Sequence, residues 1–151
     1  MQLHSWAPTL KEAFELVVVA MFGYITELEQ VEESEELDVQ VDATGHDMDS
    51  LLYSLMDEFL FQFCTEYSVC KRIEIVHFDR TEWKITARGF GETYDKKKHV
   101  PGENAFTAIF FFFFGKLTKT SAGTEIKAIT YSNMQIHEGA DKAEVYVIVD
   151  I

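Results

Sequence analysis

The stretch Val145-Tyr146-Val147-Ile148-Val149-Asp150-Ile151 decides how this chain is read. It is an alternating apolar strand that ends on two carboxylates, the Asp150 side chain and the α-carboxylate of Ile151. A strand end that buries its apolar residues and leaves two anionic groups at its tip suits a hard cation or a cationic partner. An Asp near a terminus is also commonly just solvated, so spacing alone leaves both readings open.

Upstream, Gly123-Thr-Glu-Ile-Lys-Ala-Ile-Thr-Tyr-Ser-Asn-Met-Gln-Ile136 predicts a partner strand over Glu125–Met134. The polar loop His137–Asp141 joins it to the closing strand, Glu144–Asp150. Lys127 falls on the face opposite Ile126, which on pattern alone makes it a solvent-facing strand lysine.

Towards the amino end, Thr9-Leu-Lys-Glu12 reads as a capping box, in which Thr9 accepts from an early helix N–H and Glu12 reaches back. Apolar residues at 10, 13, 14, 17, 18, 21 and 25 then share one helical face, and Gly23 marks the region of its end. The acidic run Glu27–Glu36 reads as a solvated connection, and Leu37–Val41 alternates as a strand with one buried face. Asp47 or Ser50 caps a second helix with a core stripe of Leu51, Leu52, Leu55, Met56, Phe59, Leu60 and Phe63. Ile73, Ile75 and Phe78 suit a strand and Trp83–Arg88 another, with Asp79–Thr81 as the turn; Gly89 and Gly91 break the pattern, as at a bulge or turn. The sum is α+β, two helices packed on one face of a largely antiparallel sheet.

The length of 151 residues fits a single domain that buries a core without disulfides or a structural metal. With 26 acidic against 13 basic residues the net charge is −13, which repels phosphate backbones and argues against direct nucleic-acid binding. Basic protein surfaces and divalent cations are the partners that such charge favours. Cys64 and Cys70 have neither CxxC nor zinc-type spacing and read as reduced core or helix-end thiols of a cytosolic or nuclear protein. The amino end lacks the pattern of a signal peptide. Nucleophile signatures and phosphate-cradling glycine loops are missing, so nothing argues for an independent enzyme. His46-Asp47 stands alone and fits a turn and helix cap, and His4 reads as a satisfied packing histidine.

The run Ala105-Phe-Thr-Ala-Ile-Phe-Phe-Phe-Phe-Phe114 is apolar without alternation. It is far short of the roughly 20 residues that cross a bilayer as a helix. It has the signature of a sticky β segment. It reads either as a partner-docking patch or as sequence foreign to the domain around it.

The Gly-Thr-Glu-Ile-Lys-Ala-Ile-Thr-Tyr run, the Asp-Ile terminus, Gln2–Tyr24 and Ser50–Leu60 together resemble the archease family, the small protein cofactors of RtcB-type RNA ligases in tRNA splicing. The resemblance implies one archease-like domain over residues 1–151, with an atypical Phe-rich insertion at about 100–122. It implies a non-enzymatic accessory factor that promotes guanylylation and multiple turnover of the tRNA-splicing ligase complex in the cytoplasm or nucleus. By the same resemblance Lys127 serves in activating the ligase, and Asp150 and Ile151 are metal ligands, with Ca²⁺ as the expected ion. The family pattern opens with a strand reading roughly Asp-His-Thr-Ala-Asp that supplies a further acidic ligand, and here Met1-Gln2-Leu3-His4 opens the sequence. Asp150 and the terminal carboxylate supply at most four of the six to eight oxygens Ca²⁺ wants, so a weak site is expected. The alternative is an inactive or interaction-only variant lacking that first strand and its metal ligand, whose exposed sheet edge favours association. Oligomeric state stays open.

Overall fold

The computed structural model describes residues 1–95 and 125–151. The Phe-rich run and the insertion expected around it lie outside these residues. Among the described residues two helices pack with antiparallel strands in the α+β arrangement expected.

Strand β1 (Gln2–Ala7) leads into helix α1 (Leu10–Ile25). Thr9 caps α1, its hydroxyl accepting from the Glu12 N–H at 3.3 Å. The helix runs two residues past Gly23, where sequence placed its end, and closes with the Thr26 N–H on the Phe22 carbonyl. A short 3₁₀ turn, Leu28–Gln30, pins the acidic connection by burying Leu28. Strand β2 (Val39–Thr44) follows, then helix α2 (Met48–Glu66). Asp47 and Ser50 cap α2 jointly: the Asp47 carboxylate accepts from the Ser50 N–H at 2.8 Å, and Ser50 Oγ accepts from the Asp47 N–H at 3.1 Å.

Strands β3 (Ser68–Asp79) and β4 (Lys84–Thr93) form a hairpin whose turn is held by Asp79 Oδ1, which accepts from the Thr81 and Glu82 N–H groups. Strand β4 runs past Arg88, the limit expected, and of the bulge or turn expected at Gly89 and Gly91 the structure has the bulge. Both glycines lie inside β4, because β3 bulges between Cys70 and Arg72 and closes on the strand opposite. A Cβ at Gly89 would sit 2.5 Å from Cys70 Sγ, and one at Gly91 would overlap the Val69 carbonyl. Glycine is what lets the strand pass.

Of the expected strand Glu125–Met134 only two residues are strand, and a separate strand begins just beyond it. Strand β5 is Ala128–Ile129 only, a turn follows with Asn133 at φ 49°, and β6 is Gln135–Glu138. Asn tolerates this left-handed conformation, so the chain breaks there without Gly or Pro. Strand β6 takes in His137 and Glu138, which the sequence assigned to a loop. Strand β7 (Ala143–Asp150) is central, with β1 on one side and β5 and β6 on the other. These four strands make one sheet, and β2-β4-β3 make a second. Helix α1 packs on β1, β3 and β7, while α2 packs chiefly on β2 and also on β5. Phe22 and Phe59, both fully buried, meet edge to face at 6.3 Å and join the helices. Burying such a ring contributes about 1.5–3 kcal/mol.

Candidate functional site

Pairing between β5 and β7 builds the carboxyl-end site. Ala128 stands opposite Asp150 and Ile129 opposite Val149. Just before β5, the Lys127 N–H donates to the Asp150 carbonyl at 2.7 Å. Lys127 therefore precedes the strand in which sequence placed it. Ile126 and Ile129 are buried beside it, 3% exposed each, and anchor the segment in the core. The Lys127 and Asp150 side chains are both exposed, and Ile151 is half-buried. Among the described residues neither Lys127 nor Asp150 forms an ion pair.

Among the described residues no three His, Cys, Asp or Glu side chains converge on a point where a metal ion would sit. The Asp150 carboxylate, with Ile151 beside it, would offer Ca²⁺ a few of its oxygens, but not a cage. The donor set alone does not fit a complete metal centre.

His4 and Tyr146 oppose each other across β1 and β7 and stack, centroids 4.1 Å apart and planes 6° from parallel. The packing role expected of His4 is observed. Its Nε2, however, is buried without a hydrogen-bond partner among the described residues, and burial foremost lowers its pKa. His46 donates its backbone N–H to Ser50 Oγ, as a residue of the helix entry. Cys70 is buried in β3 and its thiol is pushed up to about 12 by desolvation, whereas Cys64 is exposed near the end of α2.

A feature the sequence reading missed lies on α2. The Tyr131 ring, in the turn after β5, stacks flat on Tyr53 with centroids 4.3 Å and planes 9° apart. Burial, Tyr53 and the charges of Asp47, Asp49 and Asp57 raise the Tyr131 hydroxyl pKa. The four-residue spacing of Asp49, Tyr53, Asp57 and Phe61 was the available signal.

No helix among the described residues is long and apolar enough to cross a membrane.

The model of the archease protein family matches residues 1–110 and 112–151. The chain is 44% identical over 149 residues to the protein archease-like of Dictyostelium discoideum, covering 98% of this chain and 85% of that protein. It is 39% identical to protein archease of Danio rerio over 151 residues, 99% of this chain and 78% of that one. Against protein archease of Pyrococcus abyssi the identity is 33% over 141 residues, 92% of this chain and 82% of that one. Among solved structures, protein 1598 of Methanobacterium thermoautotrophicum superposes with a TM-score of 0.69 at 24% identity, covering 98% of this chain and 89% of that one. An archease of Thermotoga maritima, described as a possible chaperone, superposes with a TM-score of 0.50 at 12% identity, covering 100% of this chain and 90% of that one. At these identities the two structures speak to the fold.

Proposed function

This chain belongs to the archease family, and from that premise we propose that it is an accessory factor for an RtcB-type RNA ligase in tRNA splicing, active in the cytoplasm or nucleus. It raises ligase guanylylation and multiple turnover and performs no chemistry of its own. The observation that carries the reading is the β5–β7 junction, where one hydrogen bond joins Lys127 to Asp150 and leaves both charged side chains open to solvent.

An accessory protein speeds a step only by favouring the competent state of its partner. In this reading the Lys127 ammonium enters the ligase site and meets an anionic group there, while Asp150 faces a cationic one. RNA ligation needs a basic cleft, and a chain of net charge −13 is electrostatically suited to dock beside it. Asp150 and the Ile151 carboxylate would hold part of the shell of a divalent cation, Ca²⁺ first, and the remaining oxygens would come from elsewhere. Because the donor set is incomplete, no part of the activation is routed through an ion.

The test is multiple-turnover ligation by the ligase with and without the chain. Lys127→Ala and Asp150→Ala are expected to lose the stimulation while keeping the native circular dichroism. Full stimulation by the double variant would refute the assignments. The incomplete donor set favours a second reading, an interaction-only variant, in which the unaltered chain binds the ligase and leaves turnover unchanged.

A further inference from the structure

Helix α2 turns one stripe, Leu51, Leu52, Leu55, Met56 and Phe59, into the core. Its other side carries Asp49, Tyr53, Asp57 and Phe61 at intervals of four, which lie in a slowly drifting outward row about 6 Å apart. Tyr131 extends the row by stacking on Tyr53. Tyr131 and Phe61 are 55% and 59% exposed, unusually open for rings of this size. Asp49 and Asp57 form no ion pair among the described residues.

Rings alternating with unpaired carboxylates match one side chain best. A guanidinium lays its flat face on an aromatic ring and turns its fork of N–H donors to a carboxylate. Lysine offers a point charge without the flat face. A second copy of this chain, equally acidic, would be repelled. The acidic run Glu27–Glu36 has charge without rings and gives a control on the same molecule.

The row also lies in reach of the carboxyl-end site. Tyr131 is four residues from Lys127, at most about 14 Å of chain. A standard interface covers about 800 Å² per partner, a disc of about 16 Å radius. A footprint of that size centred on Lys127 would take in Tyr131.

We propose that the Asp49–Tyr53–Asp57–Phe61 row, completed by Tyr131, is a docking surface for an arginine-bearing segment of the partner protein. This rests on the reading of the chain as an accessory factor. It separates grip, supplied by α2 and Tyr131, from activation, supplied by Lys127.

The test is calorimetric affinity for the RtcB-type ligase across two salt concentrations. The pair Asp49→Asn/Asp57→Asn and, separately, Tyr131→Ala are each expected to weaken binding about tenfold or more, with melting temperatures held close to the unaltered chain. Glu35→Gln/Glu36→Gln, an equal charge change, is expected to stay within about twofold. Row variants that bind as tightly as the unaltered chain would overturn the docking surface and leave the accessory reading standing. Losses of equal size in the Glu35/Glu36 control would overturn it too, as general charge attraction. An unaltered chain that neither binds the ligase nor raises its turnover would remove both proposals together. In ¹⁵N spectra, hexa-arginine is expected to shift Tyr53, Phe61 and Tyr131 more than hexa-lysine does, and equal shifts would overturn the choice of arginine. A concentration-dependent dimer dissolved by Tyr131→Ala would instead assign the surface to self-association and overturn the proposal.

Discussion

Arg80, in the β3–β4 turn, grips Glu138 of β6 with both arms of its guanidinium, Nη2 to Oε1 at 2.8 Å and Nη1 to Oε2 at 3.0 Å. The pair links the two sheets. Both side chains are about half exposed, so solvent screening keeps its worth to about 0.5–1 kcal/mol despite the bidentate geometry. The Arg80 hydrogen bonds hold the Glu138 carboxyl below its ordinary pKa. A depressed carboxyl contributes stability above its unfolded value and loses it as pH falls through the folded value. Glu138→Gln is therefore expected to lower the melting temperature by a few degrees at neutral pH. That difference should shrink under acid, and urea melts across pH check it.

Lys127→Ala and Asp150→Ala remove exposed side chains whose backbone bond survives. Stability is expected to change by less than about 0.5 kcal/mol, while on the proposed accessory reading the stimulation of ligase turnover falls to the unstimulated rate. A melt and a turnover assay on the same preparation separate the two effects.

Gly91→Ala is expected to destabilise by about 4 kcal/mol or more, because its Cβ would meet the rigid backbone carbonyl of Val69. Gly89→Ala meets chiefly the Cys70 thiol, a side chain, so adding Cys70→Ala should recover part of the loss. Denaturant melts of the four proteins form a double-mutant cycle for the second site.

Thiol labelling should distinguish the cysteines. At neutral pH the exposed Cys64 is expected to react with a disulfide reagent within minutes, while the buried Cys70 reacts only as fast as β3 opens. Counting fast thiols in native and denaturing buffer, one against two, checks it.

Asp47 gives a second pH signature. Hydrogen bonds from Ser50 hold its carboxyl below the ordinary value, so its contribution is present above the unfolded pKa and disappears as acid protonates the folded form. Asp47→Ala is expected to melt lower at pH 7 and to converge on the parent at low pH. Ser50→Ala, which removes the returning bond, should cost about 1 kcal/mol.

Both helices were legible because their causes are local: a capping residue, an apolar period of 3.6, and an end within a few residues of where the pattern fades. Asp47 and Ser50 each looked like a cap because both are. The strands beyond residue 83 were read less well, since their limits are set by neighbours distant in sequence. Strand β4 continues through Gly89 and Gly91 because β3 bulges opposite them, and β5 ends early where Ser132-Asn133 turns, with Asn133 left-handed. Separation into two sheets depends on β7 pairing with β1 across the whole chain, which no local window contains. The carboxyl-end site followed the same rule. Asp150 stood out from the strand pattern as well as from family likeness, Lys127 from likeness alone, and their junction is a tertiary fact. The α2 row was present in the spacing, but its ring on Tyr53 arrives from residue 131.

The centrality of β7 has a consequence for synthesis. Strand β1 pairs with a strand some 140 residues further along, so the edge next to Leu3 and Ala7 gains its sheet neighbour only after β7 is made, with chiefly α1 packed on it before then. The strand whose arrival completes the core is also the strand that bears Asp150. A polypeptide cut short of β7 thus loses the strand on which β1, β5 and β6 all pair, and Asp150 with it.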